Sequence, residues 1–126
     1  GELNTPDASL LLTKTFYVGE KGDEIADYSL NYSLITHAVR STSFFFYSGM
    51  RASDPLVTTE TAMTTSESYK GEIVVIDPLK LMTRTFYAGV KGDEIADYSH
   101  NFKVGTSTIK TTSFFSKTMA YNILFF

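Results

Sequence analysis

Alternation of apolar and polar residues is the clearest pattern in this chain. Residues 10–18, 26–34 and 38–47 each alternate with a period of two, which is the spacing of side chains on the two faces of a β-strand. A turn with two glycines separates the first two stretches and suits a hairpin. A helix beginning at Asp23 is the alternative for the acidic stretch after this turn, but the alternation continues beyond it. The pattern predicts three antiparallel strands, preceded by a leading strand at residues 1–7.

The same pattern occurs twice. Residues 1–56, the first segment, align without a gap with residues 71–126, the second segment, and 24 of the 56 pairs are identical. Nine identities are consecutive, since Lys21–Ser29 recurs as Lys91–Ser99. This density of identity predicts a tandem duplication. Residues 57–70, which are rich in Ser and Thr, are then the linker between the two copies.

A duplicated meander predicts an all-β fold. Gly71–Asp77 is an apolar run that suits the leading strand of the second copy, whereas Pro6 weakens the leading strand of the first. Two copies of four strands give about eight strands in total. We therefore expect one domain, residues 1–126, folded as a β-sandwich or barrel with pseudo-twofold symmetry. Two small sheets packed face to face are the alternative.

Composition argues against several classes of function. The chain has no Cys, which removes disulfides, thiolate metal sites and cysteine nucleophiles. Its net charge is −3 and it has no cluster of Lys and Arg, so we expect no nucleic-acid partner. No apolar run approaches the roughly 20 residues of a membrane helix, so no transmembrane segment is expected.

The sequence also lacks the residue patterns of common enzymes. No Ser-His-Asp arrangement, phosphate-binding glycine loop or dinucleotide-binding motif is present. His37 and His100 do not occupy equivalent positions in the two segments, so the repeat preserves no histidine site. We predict that the protein is not an enzyme and has no cofactor.

Polar and tyrosine residues shared by the two segments are the candidate ligand-binding residues. Calcium is the alternative to having no cofactor, because Asp23 and Glu24 at the turn could contribute to the six to eight oxygen ligands that it needs. Alternate strand residues lie about 7 Å apart, so Asp27, Ser29 and Asn31 cannot all bind one ion directly. A sugar could instead bind the polar column and stack on a tyrosine; the simpler alternative is the outer polar face of a half-buried sheet. The candidates are Tyr17, Asp23, Glu24, Asp27, Ser29 and Asn31, with their counterparts Tyr87, Asp93, Glu94, Asp97, Ser99 and Asn101.

The C-terminal end is apolar, where chain ends are usually polar and frayed. An exposed apolar strand aggregates, so we expect this end to pair within the fold or in a neighbouring subunit, as in β-augmentation. The candidate assembly residues are Tyr121, Ile123, Leu124, Phe125 and Phe126.

Together these features favour a structural protein that self-associates, as a homo-oligomer or with other subunits, into a fibre, a filament, a surface layer or a virion. Such a protein would be extracellular or exposed on a surface. The alternative is a lectin-like binding module with two equivalent carbohydrate sites at the repeated turns. The oligomeric state separates these two hypotheses.

Overall fold

Seven antiparallel strands form one continuous sheet in the computed structural model, which describes residues 12–115. The strands follow one another in chain order from one edge of the sheet to the other. They are β1 (Thr13–Val18), β2 (Ile25–Tyr32), β3 (Val39–Phe46), β4 (Thr65–Lys70), β5 (Leu81–Ala88), β6 (Ile95–Phe102) and β7 (Ile109–Phe114). Within this range, no helix has both the length and the apolarity that a membrane crossing requires.

The predicted all-β meander is confirmed, but the sheet is not closed into a barrel. Because every neighbouring pair is antiparallel, β1 and β5 run in the same direction. The second segment is therefore displaced from the first by four strands, about 19 Å across the sheet. This displacement is a translation, and the prediction of pseudo-twofold symmetry in a sandwich or barrel was wrong.

The two segments pair their strands in the same register. Thr13 of β1 lies opposite Asn31 of β2, and Thr83 of β5 lies opposite Asn101 of β6. A bulge follows the phenylalanine of β1 and recurs at the equivalent place in β5. Bulges fix register and twist, so the aligned sequences specify aligned backbones.

Two stretches differ from the sequence-based expectation. Thr65–Lys70, inside the predicted linker, forms β4 at the centre of the sheet, paired with β3 and β5. Gly71–Asp77 forms no strand, and Val74 and Val75 in its middle are exposed. The pairing edge of β5 is already occupied by β4, so this apolar run instead folds as a loop whose Ile73 packs into the core.

The sheet has an aromatic face and a hydroxyl-rich face. On the aromatic face, Phe16 lies opposite Tyr28, and Tyr28 lies opposite Phe44. The first two rings stack with centroids 4.6 Å apart. On the other face, one row of directly paired residues crosses all seven strands and carries only hydroxyl and amide side chains: Thr15, Ser29, Ser43, Ser68, Thr83, Asn101 and Thr111.

The buried core is small and lies in two clusters. The first joins β3, β4, β5 and β6 to the 71–77 loop and consists of Phe44, Tyr69, Ile73, Leu81 and Phe102. The second lies where the segment after β3 folds back over the start of β2, and consists of Ile25, Tyr47, Ala52 and Val57. The first cluster therefore lies at the centre of the sheet and the second beside β2 and β3. The far edge, at β7, contributes no buried apolar residue among those described.

Candidate functional site

The repeated turn is closed by its own glutamate. Glu24 Oε1 accepts a hydrogen bond from the Gly22 backbone N–H at 2.8 Å, and Glu94 Oε1 accepts the same bond from Gly92 at 2.8 Å. Burial is not involved, since the turn residues are largely exposed. The acidic residues of the shared sequence thus hold the hairpin turn in shape.

The first glycine of this turn has no substitute. Gly19 has φ +105°, and a Cβ placed there would lie 2.5 Å from the Asp23 carbonyl oxygen. Gly22 has φ +94°, but a Cβ there would meet nothing within 4 Å. A strained backbone costs about 1–3 kcal/mol, and only Gly19→Ala adds a backbone clash to it. We expect Gly19→Ala to lower the free energy of unfolding more than Gly22→Ala in urea titrations; equal losses would contradict this account.

The two strand carboxylates after the turn have different surroundings. Asp27 Oδ1 accepts hydrogen bonds from Arg51 Nη2 at 2.8 Å and from Nε at 3.1 Å. The same guanidinium lies over the ring of Phe44, 4.5 Å from its centroid. Asp97 has no ion pair within residues 12–115. The position equivalent to Arg51 is occupied by Tyr121, which lies outside the described residues. Asp27 and Asp97 therefore do not form equivalent sites in the described structure.

The polar column is occupied by contacts within the sheet. The Asn31 side-chain amide donates to Ser41 Oγ at 3.0 Å and to Ser43 Oγ at 3.1 Å. Ser29 and its counterpart Ser99 are buried. No buried side-chain nitrogen or oxygen in the described part of the chain lacks a hydrogen-bond partner. The Asn31 amide is thus hydrogen-bonded to neighbouring strands, and the buried Ser29 and Ser99 are not accessible to a ligand.

The two candidate tyrosines also differ. Tyr17 is 61% exposed. The hydroxyl of Tyr87 instead forms a hydrogen bond with Ser66 Oγ at 3.1 Å. Tyr17 lines an open groove of about 390 Å³, whose other walls include Tyr47, Lys91 and Glu94. The Tyr47 hydroxyl donates to the Ala26 carbonyl at 2.7 Å, and burial raises its pKa to about 12.

Glu94 accepts a hydrogen bond from outside its own turn, whereas the hydrogen bond of Glu24 comes from within its turn. Glu94 Oε2 accepts a hydrogen bond from the Met63 backbone N–H at 3.1 Å. Hydrogen bonds from the backbone N–H groups of Glu94 itself, of Met63 and of Gly92 lower the pKa of its carboxyl. A lowered folded-state pKa stabilises the protein above the unfolded-state pKa, and this contribution is lost as the pH falls through the folded-state value.

Glu94→Gln should therefore make folding less sensitive to acid. We expect the free energy of unfolding of the variant to fall less steeply than that of the parent chain below a pH of about 4.3, the ordinary value for Glu. Glu24→Gln is the matched control, because it neutralises the equivalent turn carboxylate, whose hydrogen bond comes from Gly22 and not from Met63. Parallel pH profiles for Glu94→Gln and the parent chain would show that the Met63 contact has no such effect.

No metal centre is built from the described residues. Across residues 12–115, no group of three or more His, Asp or Glu side chains comes close enough together to hold an ion. Asp23 and Asp93 donate their backbone N–H groups within their turns, to the Glu20 and Val90 carbonyls respectively.

The structure also contains a feature that the sequence analysis missed, the outer edge of β7. Phe44 in β3 and Phe114 in β7 are equivalent in the alignment, yet Phe44 is 2% exposed and Phe114 is 59% exposed. Thr42 is fully buried and its counterpart Thr112 is exposed. The difference is β4, which covers the edge of β3. The sequences of the two strands give no signal of this difference, since both contain Thr-Ser-Phe-Phe.

The backbone of β7 presents hydrogen-bonding groups along this edge. The Phe115 N–H donates to the Asp97 carbonyl at 2.7 Å, so Phe115 faces β6. The backbone N–H and C=O groups of successive residues point to opposite edges of a strand, so those of Phe114 and Thr112 point away from β6. The equivalent carbonyl of Arg40 accepts a hydrogen bond from Gly71 at 2.9 Å. Within residues 12–115, no strand occupies the corresponding place beside β7.

The candidate assembly residues at the C-terminus, Tyr121–Phe126, lie outside the described residues and stay a prediction. Comparison with known protein families, with curated proteins and with solved structures finds no match to this chain. Function is therefore inferred from the geometry of the sheet and of its edges.

Proposed function

We propose that this protein is a non-enzymatic structural protein whose sheets associate through their edges, as a subunit of a fibre, a surface layer or a similar assembly. The observation that carries the proposal is that the same Thr-Ser-Phe-Phe sequence is largely buried at β3 and largely exposed at β7. An exposed apolar edge strand is a template for pairing with another strand.

The apolar area at this edge is large enough to matter. Phe114 and Phe115 are 59% and 52% exposed. Full burial of a phenylalanine covers roughly 200 Å², so burying the exposed parts of both rings contributes about 5 kcal/mol per chain. Two such edges supply about 10 kcal/mol, which falls within the roughly 4–15 kcal/mol that association costs in lost freedom. Backbone hydrogen bonds along the edge then favour the complex.

We further infer that the two segments arose by tandem duplication, since strand register and bulges recur along with sequence. Translation of one unit across a sheet leaves both outer strands as edges, unlike closure into a barrel. A protein of this kind is suited to repetitive assembly at a cell or particle surface. The use of the turn carboxylates in hydrogen bonds and in the Asp27 ion pair supports a structural role over catalysis.

Size-exclusion chromatography and negative-stain microscopy of the full chain test this proposal. We expect dimers or larger assemblies whose population rises with concentration. A variant lacking Tyr121–Phe126 separates the contribution of the C-terminal end from that of the β7 edge. A full chain that stays monomeric, and a truncated chain that also stays soluble and monomeric, would contradict the proposal.

Carbohydrate binding is the second candidate, and the exposed ring of Tyr17 beside the groove favours it. Sugars stack on exposed aromatic rings, and Glu94 and Lys91 in the same groove offer hydrogen-bonding groups. Tyr17→Ala should abolish binding on a glycan array, whereas Tyr87→Ala should leave binding unchanged because that hydroxyl is already bonded to Ser66. An array without any bound glycan for the parent chain would reject this candidate.

A further inference from the structure

We propose that two copies of this chain join through antiparallel pairing of β7 with β7, across a twofold axis centred on Thr112. This inference rests on the proposed self-association and specifies its edge, its partner and its register. The product is one continuous sheet that runs through both copies. An interface of this type is isologous, so the same surface serves on both sides.

The choice of β7 over the opposite edge follows from comparing each edge strand with its internal counterpart. Phe16 in β1 and Phe86 in β5 are both half-buried, although β5 has two neighbouring strands and β1 has one within residues 12–115. The position in β1 therefore loses little burial at the edge. Phe114 in β7 loses more than half of the burial that Phe44 has in β3, since the exposed fraction rises from 2% to 59%. Among these equivalent phenylalanines, the loss of burial at an edge is therefore larger at β7 than at β1.

The register follows from the side chains. With Thr112 opposite Thr112 of the partner subunit, Lys110 lies opposite Phe114 of the partner subunit and Thr111 lies opposite Ser113 of the partner subunit. Each exposed phenylalanine then receives a cation. The two lysines lie at opposite ends of the paired segment, where they do not repel each other.

This contact repeats one that the chain already uses. Lys14 Nζ lies 5.0 Å from the centroid of Phe16, and the Arg51 guanidinium lies 4.5 Å from that of Phe44. Cations over aromatic rings stabilise when the site is partly desolvated. Arg51 lies over Phe44, the counterpart of Phe114. The proposed contact of Lys110 would therefore give Phe114 a cation over its ring, as Phe44 already has.

Neighbouring registers are less favourable. An axis at Thr111 places Phe114 beyond the end of the partner strand, opposite Thr108. An axis at Ser113 places Phe114 opposite Thr112 and leaves Lys110 without a partner in β7. Only the axis at Thr112 pairs the whole of Lys110–Phe114 with itself.

A second copy is a better occupant than a strand resembling β4. Every copy already uses its own β4 between β3 and β5, so that strand is not free to cover another molecule. Every copy also carries β7, whose outer edge has no partner strand within residues 12–115 and whose sequence is self-complementary in this register. Lys110 is the single charged residue in β7, and the proposed register puts this charge over a ring.

Single cysteines test the register directly, because the chain contains none. In the proposed dimer the two Thr112 Cα atoms lie about 5.5 Å apart, within the range for a disulfide. The two Lys110 residues lie about 13 Å apart along the strand. Under mild oxidation we expect Thr112→Cys to form a covalent dimer and Lys110→Cys alone to stay monomeric. Mixed Lys110→Cys and Phe114→Cys chains should form the heterodimer.

The possible outcomes distinguish the register, the β7 interface and self-association itself. Equal crosslinking of Thr112→Cys and Lys110→Cys would overturn the register. Absence of crosslinking in every variant, while the parent chain still associates, would overturn the β7 interface but leave the proposed function standing. A parent chain that is monomeric at all concentrations would overturn both. Pairing of β7 with another part of its own chain would appear as a failure of Thr112→Cys to crosslink.

A proline variant provides an independent test. The Thr112 N–H faces away from β6, so Thr112→Pro removes a group from the edge and leaves the β6–β7 backbone hydrogen bonds in place. The exposed side-chain contact of Thr112 Oγ1 with His100 Nδ1, at 3.2 Å, is the one β6–β7 hydrogen bond of this residue that the substitution removes. We expect it to abolish dimers with little change in thermal midpoint. Thr15→Pro is the matched control at the β1 edge, because Leu12 faces β2 and Thr15 therefore faces outward. Loss of dimers in Thr15→Pro but not in Thr112→Pro would overturn the assignment.

Discussion

Phe44→Ala is expected to lower the free energy of unfolding by about 3–5 kcal/mol, the range for deleting a fully buried phenylalanine. The ring is 2% exposed. It contacts the Tyr69 ring edge-on, with centroids 5.7 Å apart, and lies beneath the guanidinium of Arg51. Its removal leaves a cavity at the centre of the larger core cluster, which neighbouring strands cannot close without breaking their pairing.

Phe114→Ala is the matched control, since it makes the same change at the aligned position of the second segment. The ring is 59% exposed, and we expect a loss of under about 1 kcal/mol in the isolated chain. Urea unfolding of both variants in dilute solution, followed by circular dichroism, measures the difference. Equal losses would show that the two positions have the same burial in solution, contrary to the structure.

Thr42→Val is expected to have the second largest effect. Thr42 is fully buried, its hydroxyl donates to the Gly71 carbonyl at 2.7 Å, and the same oxygen accepts from the Ile73 N–H at 3.1 Å. Valine has nearly the same shape but cannot form either bond. The buried Ile73 N–H would be left without a partner and the partly buried Gly71 carbonyl would lose its hydroxyl donor, at a cost of about 2–3 kcal/mol in total.

Loss of these bonds should also release the loop after β4, because Thr42 is the residue that anchors its first turn to β3. Hydrogen exchange of the Ile73 amide should become faster in Thr42→Val than in the parent chain. Thr112→Val, at the aligned exposed position, should change neither exchange nor stability appreciably. An unchanged Ile73 amide in Thr42→Val would show that another group holds the loop.

Much of the fold follows from the sequence because the strands alternate cleanly. The stretches around Tyr28 and Phe44 place aromatic residues on one face and Ser or Asn on the other. A period of two survives any tertiary context that keeps one face buried. The repeated turns follow as well, because Gly19 requires a conformation that only glycine adopts readily.

The centre of the sheet could not be predicted in the same way. Thr65–Lys70 is polar on both faces, since Glu67 and Tyr69 alternate with Ser residues, and it carries little hydrophobic signal. Its strand identity depends on partners on both sides and on the Glu67–Arg84 ion pair. Gly71–Asp77 was misassigned for the opposite reason: an apolar run can pack as a loop when no edge is free.

The candidate site was predicted in composition but not in geometry. Identity between the two segments is densest at the shared turn, and both turns have the same hydrogen bond between a glutamate and a glycine. It could not show that Glu24 and Glu94 hydrogen-bond to their own turns, or that Asn31 is occupied by Ser41 and Ser43. The exposure of β7 depends on whether another strand lies beside it, and the order of strands in a sheet cannot be read from one strand's sequence.

The central claim is that this chain is a self-associating subunit, and sedimentation velocity of the full chain over a wide range of concentration tests it most directly. We predict a monomer at the lowest concentrations that converts to a dimer or larger species as concentration rises, and a Thr112→Pro variant that stays monomeric throughout. A parent chain that sediments as a monomer over the whole range would contradict the account.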